Sequence, residues 1–522
     1  MKSTFGVTGL VVQPVMCHPV ANRIRDSLIA TPRIVMGLLL ATTLVTKLLW
    51  GGVMGASTNE AYCYLYTVHP ALSYFDHPPM MMWVAKAGQV LCHGWVHPFS
   101  IRLGFVLLFV GSTWVLYRWT SRWYGPWAGV YAAVLLNLSG FYAVTGGFAT
   151  PDGPLLFFSL LTMWALSEAI LADPYRTRPW AYVGLALAGA LLSKYHAVFL
   201  PAGVVFYAIV TPGARHLFRR PGPYVAMGIA LLGFLPVIAW NARHGWVSFV
   251  FQGGRATEGG FHFTHLAGAL FGPVLCLLPW VWGILVMVLV ARVRRFGSTS
   301  GQDRLAMCQA IAPLVFFTAI GCSRWVMMHW PLIGYLPLFP LAGAKLAEWA
   351  NVNARRTRRR MAMMAVPLLV GALFLMGRDE LGLAEPPASD GFAEARGWDS
   401  VAAELIARGV VNDPAAFVFT DDWRDSARLG FALRNRVSVL CYSGDSRGFG
   451  FWSEPAEWIG KTGYWVEVEN DPIEVQLFRM LFTTVELVAE FPMRCGNTVL
   501  KHVRVFRCAR QHTAFPFGHP AF

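Results

Sequence analysis

The sequence predicts a polytopic α-helical membrane protein with a small α/β domain at its C-terminal end. Of its 522 residues, 55% are hydrophobic and only 14% are charged, whereas a soluble protein carries about 25% charged residues. Apolar runs recur at close to the length of about 20 residues that crosses a bilayer. After residue 377, short strand-like and helical patterns replace these runs. We therefore predict an N-terminal segment (1–33), a membrane domain (34–377) and an outer domain (378–522).

The apolar runs predict about 11 membrane spans. They cover residues 34–54, 100–117, 126–146, 154–171, 180–194, 196–211, 223–240, 266–291, 305–321, 331–348 and 361–377.

Lysine and arginine residues predict the orientation of these spans. One set of loops is rich in them, with clusters at 118–122, 215–220, 292–304 and 355–360. The alternate set holds only Lys86, Lys194, Arg243, Arg255 and Arg324. The basic loops face the cytoplasm under the positive-inside rule, so the N-terminus is predicted to be cytoplasmic and the C-terminal domain to lie outside. This distribution also explains the net charge of +14 without nucleic acid as a partner.

The outer domain is predicted to contain at least three strands and two helices. Ala416–Thr420, Val437–Cys441 and Tyr464–Glu469 have strand-like patterns, and Ser400–Arg408 and Arg424–Leu433 have helical spacing. This domain would cover a membrane-face site or shape its acceptor entrance, or would only stabilise the fold.

Two of the nine cysteines suggest a disulfide. Cys495 and Cys508 flank a predicted hairpin, and an oxidising compartment would permit a bond between them.

The loop after the first span concentrates acidic and aromatic residues. Thr58–Pro79 contains Glu60 and Asp76 as well as tyrosines that include Tyr62 and Tyr74. These acids at a membrane face indicate chemistry on a polar group held by a lipid. The alternative is that they are solvated or cap a helix, with the tyrosines forming an interfacial belt.

A second outward loop presents Asp152, directly before a proline-started helix. Two acidic loops on the same side can converge on one site, where a carboxylate could accept a proton from an acceptor that attacks a sugar carbon. The alternative role for Asp152 is stabilisation of a helix N-terminus.

The outward cations could bind a phosphate leaving group, on which negative charge develops. Lys194 lies between two apolar runs, and Arg255, Arg324 and His329 occupy other outward loops. The alternative for these side chains is snorkelling to the interface.

Metal binding remains open at the sequence level. Glu60, Asp76 and His77 could hold a divalent ion, but no diagnostic metal-ligand spacing is present. The sequence has no phosphate-binding Walker loop, so the energy for a transfer would come from the substrate itself.

Several motifs resemble those of one family. In chain order they are Asn59–Tyr64, Tyr74–Pro79, Ala149–Asp152, Leu192–Tyr195, Trp240–Gln252 and His329–Pro331. Together they resemble the lipid-phosphosugar glycosyltransferases of the protein O-mannosyltransferase and lipid A aminoarabinose transferase type, which have the GT-C fold.

This resemblance implies an inverting transfer from a polyprenyl-phosphate sugar to an envelope acceptor at the outer face of a bacterial inner membrane. The acceptor would be lipid A, a glycan, another lipid or a protein. The resemblance also implies that Lys194, Arg255 and His329 contact the donor phosphate. Tyr195 belongs to the same motif as Lys194, and we expect it to contact substrate.

Asn59 stands where the family has the aspartate regarded as its catalytic base. Asparagine cannot take up the proton, so we expect Glu60 or Asp152 to serve as the base, with Asp76 as a third candidate. Asp76 and His77 would organise the site or hold a metal. We expect Asn59, Tyr62, Tyr74 and His77 to contact substrate.

Two alternatives remain. Intramembrane charges and broken helices would also suit a transporter or flippase of lipid-linked sugar, although no repeat of the opening loop is evident. A catalytically altered relative would explain Asn59.

Overall fold

The computed structural model describes the backbone of residues 19–172, 176–257, 260–380, 396–413, 415–468, 474–495 and 498–517.

All regular secondary structure described in the membrane domain is helical. Its helices are α1 (Pro19–Val53), α2 (Thr58–Val68), α3 (Met80–Leu91), α4 (Pro98–Tyr124), α5 (Pro126–Asn137), α6 (Gly140–Thr145), α7 (Asp152–Ser167), α8 (Arg178–Ser193), α9 (Phe199–Val210), α10 (Pro221–Arg243), α11 (Val247–Thr257), α12 (Phe263–Leu277), α13 (Pro279–Val293), α14 (Gly301–Gly321) and α15 (Leu338–Glu380). Several begin with proline, whose fixed φ and missing N–H suit the first helical position.

Within the described residues, five helices are long and apolar enough to cross a membrane. They are Pro32–Val53, Pro98–Tyr124, Asp152–Ala172, Pro221–Arg243 and Gly301–Gly321. The bent pair α12–α13 would make a sixth span. The polytopic membrane class is confirmed, whereas the count of about 11 spans stays a prediction.

Some predicted spans are broken in the structure. The run predicted as one span over 266–291 is divided between α12 and α13, which meet at an angle of 115°. Leu278 makes the break with a φ of 70°. The predicted span 126–146 is divided between α5 and α6, and the predicted span 361–377 continues a helix that is kinked at Asn353.

The core of the membrane domain lies among α4, α5, α7 and α15. Phe109, Leu136, Leu156 and Phe339 are buried there. Gly343 lets α15 approach α5 closely, because a Cβ at this position would overlap the backbone around Ala128. Small residues allow such close helix packing within a bilayer.

The outer domain is a five-stranded mixed sheet with three described helices. The strands are β1 (Ala416–Thr420), β2 (Ser438–Cys441), β3 (Thr462–Val468), β4 (Phe482–Cys495) and β5 (Thr498–Gln511). Their order is β2-β1-β3-β5-β4, with β1 parallel to β2 and β3, and β5 antiparallel to β3 and β4. The helices are α16 (Trp398–Ala407), α17 (Trp423–Ala432) and α18 (Glu474–Arg479). The predicted α/β class is confirmed.

The cysteine prediction is half right. β4 and β5 form the expected hairpin, but Cys508 pairs with Val485, while Cys495 lies at the far end opposite Thr498. Cys508 is a free thiol, so the predicted disulfide is wrong.

The outer domain docks on α2, the helix that follows the first span. Tyr64 of α2 meets Phe431 edge-on at 5.3 Å. Arg428 of α17 donates to the Thr58 hydroxyl over 2.6 Å. The predicted domain boundary at residue 377 falls inside α15, and residues 381–395 lie outside the described part of the chain.

Candidate active site

A cavity of about 400 Å³ lies between the membrane helices and the outer domain. Its polar lining consists of Asn59, Tyr62, Asp76, His77, Thr145, Thr150, Asp152, Lys194, Tyr195, His196, Gln252, His329 and Arg447. Most of the predicted site residues therefore meet in one place.

Asp152 and Lys194 form an ion pair in this cavity. Asp152 begins α7, and Lys194 follows the end of α8 in an extended conformation. The Lys194 ammonium lies 2.9 and 3.1 Å from the two carboxylate oxygens. The side chains are 15% and 8% exposed, so the pair is largely shielded while still facing the cavity.

Asp76 is held by groups from both domains. Arg447 of the outer domain donates to Oδ1 over 2.6 Å, and the Tyr62 hydroxyl donates to Oδ2 over 2.8 Å. The Gly448 amide donates in turn to the Tyr62 hydroxyl over 2.7 Å. Burial and the Asp76 charge raise the pKa of Tyr62 well above its usual value, so this hydroxyl stays a donor. Asp76 thus links the loop between α2 and α3 to the outer domain.

Arg447 was not foreseen from the sequence. It lies 371 positions from Asp76, in a loop whose pattern carries no signal for such a contact. Its guanidinium stands 5.1 Å from the rings of both Phe251 and Trp423. Its backbone has a φ of 49°, a region that residues other than glycine enter uncommonly. These contacts fix the arginine at the cavity wall.

Glu60 lies outside the cavity and is fully buried. Arg102 grips it with two hydrogen bonds, Nε to Oε1 at 2.6 Å and Nη2 to Oε2 at 2.7 Å. The amide and hydroxyl of Ser57 and the amide of Ala149 also donate to this carboxylate. Glu60 is therefore placed as a structural anchor for the start of α2, and its surroundings do not suit a proton acceptor for substrate.

Asn59, one position earlier, does line the cavity. It is exposed on the first turn of α2. Consecutive helical residues point about 100° apart, which explains why Asn59 faces the cavity while Glu60 faces Arg102.

His329 lies beside the Asp152–Lys194 pair. Its ring stacks on Phe141 at 5.2 Å. Burial, followed by the charge of Lys194, lowers the pKa of His329 to about 4. The imidazole is therefore neutral near pH 7 and offers one N–H donor rather than a positive charge.

Three other predicted residues do not line the cavity. Tyr74 is buried against Tyr66, with ring centroids 3.8 Å apart, and donates its hydroxyl hydrogen to the Tyr66 carbonyl. Arg324 is absent from the lining. The side chain of Arg255 lies outside the described residues.

The proposed metal ligands do not form a metal site. The Glu60 carboxylate is occupied by Arg102, and that of Asp76 by Arg447 and Tyr62. Across the described residues, no group of three or more histidine, cysteine, aspartate or glutamate side chains could hold a metal ion. The donor set of Glu60, Asp76 and His77 thus does not fit a divalent cation.

Fold and site together define a polytopic membrane protein with a charged cavity beneath a docked outer domain. Residues 76–240 match the family described as dolichyl-phosphate-mannose-protein mannosyltransferase. This range includes Asp76, Asp152 and Lys194. The chain is also similar to the lipid A galacturonosyltransferase RgtD of Rhizobium johnstonii, with 25% identity over 311 residues. That match covers 56% of this chain and 59% of the relative.

Solved structures share the fold over most of this chain. ArnT from Cupriavidus metallidurans bound to undecaprenyl phosphate matches with a TM-score of 0.64 and 18% identity, over 90% of this chain and 97% of that one. An oligosaccharyltransferase from Archaeoglobus fulgidus matches with a TM-score of 0.50 and 12% identity, over 85% of this chain and 69% of that one. The chain therefore has the GT-C fold, and its predicted resemblance to lipid-phosphosugar glycosyltransferases is confirmed.

Proposed function

We propose that this chain is an inverting glycosyltransferase that moves a sugar from a polyprenyl phosphate to an envelope acceptor. The observation that carries the proposal is the Asp152–Lys194 pair, which faces a cavity at the boundary between the membrane helices and the outer domain. A lipid-anchored donor can present its phosphate at that depth while its chain remains in the bilayer.

Lys194 and His329 are the proposed donors to the substrate phosphate. An ammonium group has three N–H donors, so Lys194 can hold Asp152 and a phosphate oxygen together. His329 adds a neutral N–H. As the bond between the sugar carbon and the phosphate oxygen breaks, these donors stabilise the charge that develops on the phosphate. The undecaprenyl phosphate named with the similar ArnT structure supports a polyprenyl donor.

Asp152 is the proposed base. The acceptor oxygen attacks the anomeric carbon from the side opposite the phosphate, and its proton passes to the Asp152 carboxylate. A phosphate bound to Lys194 would draw positive charge away from Asp152 and increase its affinity for the proton. Glu60 is buried in an ion pair with Arg102, and the Asp76 carboxylate accepts hydrogen bonds from Arg447 and Tyr62. Asp152 is thus the acid that lines the cavity and is held by Lys194, which is itself a proposed substrate-binding group.

The proposed setting is the bacterial inner membrane, with the cavity on its outer face. The lysine and arginine distribution supports this orientation. The similar galacturonosyltransferase acts on lipid A by name, which makes lipid A the first acceptor to test. Asp76, Arg447, Tyr62 and His77 would shape the acceptor side of the cavity.

The function can be tested with the full-length protein in proteoliposomes that contain polyprenyl-phosphate galacturonic acid and lipid A. Mass spectrometry should show lipid A that has gained one uronic acid residue, and NMR should show inverted anomeric configuration relative to the donor. If no galacturonic acid is transferred, the same assay with polyprenyl-phosphate aminoarabinose, hexosamine and mannose tests the remaining sugars.

A transporter would give a different result. Donor placed in the inner leaflet alone would appear in the outer leaflet without any new glycosidic bond. Leaflet exchange without transfer of any of these sugars would refute the proposed function.

A further inference from the structure

A second cavity, of about 10 Å³, borders the Asp152–Lys194 ion pair, and we call it the small cavity. Asp152, Lys194, His196 and His329 belong to its lining, and the rest of the lining is aromatic or aliphatic. This volume is close to the minimum that holds one water molecule, so it excludes a sugar ring or a phosphate. A buried water also needs about two to four polar partners, which these residues can supply.

His196 has a ring nitrogen that the described residues leave unpaired. Its Nε2 is buried and has no hydrogen-bond partner in the described part of the chain. Buried polar atoms in folded proteins are nearly always paired with a protein group or with ordered water. His196 lines both the small cavity and the cavity between the two domains, so a partner for Nε2 can come from either space.

The backbone and two aromatic rings fix the position of His196. Lys194 ends α8 in an extended conformation, and a single 3₁₀ turn, Tyr195–Val198, follows it. The His196 ring stacks on Phe317 of α14 at 5.3 Å. Trp330 meets the same ring edge-on at 5.6 Å. These contacts hold the imidazole beside the ion pair and restrict rotation of its nitrogens.

Asp152 needs a second hydrogen-bond donor once substrate binds. Both of its oxygens lie within 3.1 Å of the Lys194 ammonium. In the proposed reaction Lys194 shares its N–H groups with the substrate phosphate, which weakens its hold on the carboxylate. A water in the small cavity could donate to one Asp152 oxygen and leave the other oxygen to the acceptor.

We propose that His196 is a positioning residue that orients the Asp152 carboxylate through one water bound in the small cavity. The water donates one hydrogen to an Asp152 oxygen and the other to Nε2 of the neutral imidazole, whose Nδ1 then carries the ring proton. An N–H of Lys194 or His329 completes its coordination. This inference rests on the proposed function, to which it adds a residue that acts through the base.

The first measurement needs no sugar donor. A cryo-electron microscopy map of the full chain, at a resolution that shows ordered waters, should contain one water between the Asp152 carboxylate and His196 Nε2. The same map of His196→Phe should lack this water, because the phenyl ring offers it no acceptor.

Kinetics of three variants then separate positioning from packing. His196→Phe keeps an aromatic ring against Phe317 and removes the nitrogens. His196→Gln keeps a polar atom at about the same reach along the side chain as Nε2. His265→Phe is the matched control: His265 also has a buried ring nitrogen without a partner among the described residues, and it meets Trp325 edge-on, but it lines neither cavity.

We expect His196→Phe to lower kcat by about tenfold to a hundredfold, the effect of losing one hydrogen bond to a charged group. The KM for the polyprenyl donor should stay the same, because Lys194 and His329 still hold the phosphate. His196→Gln should recover most of the rate, and His265→Phe should match the parent. A role in packing alone would leave kcat per folded molecule unchanged in all three variants.

A small cavity without water, or a His196→Phe protein with the parent kcat, would overturn the inference. Equal losses of kcat in His196→Phe and His196→Gln would overturn it too, because the polar atom would then not matter. A raised donor KM with unchanged kcat would show that His196 binds substrate directly, which contradicts the positioning role. The bridging water in a parent protein that transfers none of the sugars would refute the proposed function and leave the water-linked pair.

Discussion

Replacing Glu60 with glutamine separates a structural role from a catalytic one. The Glu60 carboxylate accepts five hydrogen bonds, from Arg102 Nε and Nη2, the amide and hydroxyl of Ser57, and the amide of Ala149. Arg102 also donates to the carbonyls of Gly51, Met54 and Gly55. A glutamine would turn one acceptor oxygen into an NH₂ group facing other donors and leave the buried guanidinium without its counter-ion.

The expected cost is large. Removing one partner of a buried ion pair destabilises a protein by about 3–5 kcal/mol. Both side chains here are at most 1% exposed, so solvent cannot compensate. We therefore expect Glu60→Gln to lower the free energy of unfolding by about this amount and to leave kcat per folded molecule within about threefold of the parent, which is about 0.7 kcal/mol.

Denaturant titration in mixed micelles measures the free energy of unfolding, and sugar transfer is normalised to folded protein. Glu404→Gln is the matched control. Its ion pair with Arg408 is exposed on one helix, so the cost should be about 0.5 kcal/mol or less. A Glu60→Gln protein that is as stable as the parent but inactive would show that Glu60 is the base and that the structural assignment is wrong.

Three further predictions concern the cavity and the domain contact. Asn59→Asp should change kcat less than about tenfold, because Asp152 is the proposed base; a rise of several hundredfold in the transfer assay would contradict this. Arg447→Gln should leave Asp76 without its cationic partner, and should therefore lower the rate of sugar transfer and speed proteolysis within residues 443–454. Arg436→Gln is the control, because Arg436 is exposed and does not line the cavity between the two domains; it should leave both the transfer rate and the proteolysis rate unchanged. Burial raises the pKa of Asp425 to about 6, so the folded state holds its proton more tightly than the unfolded state does. The stability that Asp425 contributes relative to Asp425→Asn should therefore fall by up to about 3 kcal/mol as the pH rises from about 4 to 7, and a difference in unfolding free energy that is flat or rises with pH would refute this.

The helical membrane class was predictable because apolar composition can be read from each segment alone. The breaks between helices were harder to predict from composition. The run 266–291 contains no polar interruption, yet it bends at Leu278. Pro279 was the available signal, because a proline disfavours helical geometry at the residue before it. In the outer domain, β1 was predicted with the observed bounds because it is a short run rich in apolar residues, which is typical of a strand that is buried throughout, as β1 is.

The meeting of Asp76 and Asp152 in one cavity followed from placing their two outward loops on the same membrane face. The ion pair between Asp152 and Lys194 was not predicted. Glu60 was offered as a base because its neighbour Asn59 stands where the family has one, with helix capping as the alternative. Its contacts with Ser57 and Arg102 favour the alternative. Adjacent helical positions face different directions, and only the packing of α4 shows that Arg102 meets Glu60. Arg447 could not be found from local sequence, since its contact with Asp76 depends on how the outer domain docks.

The most direct test of the account is the single-turnover rate of sugar transfer by Asp152→Asn. Asp413→Asn provides the matched control, since Asp413 is exposed in the outer domain and its oxygen can still accept the Ala415 amide after substitution. We predict that Asp152→Asn lowers the rate by about 10²–10⁴-fold while the protein stays folded and still binds undecaprenyl phosphate, and that Asp413→Asn transfers at the parent rate. An Asp152→Asn protein that transfers sugar as fast as the parent would contradict the central claim that this carboxylate accepts the proton.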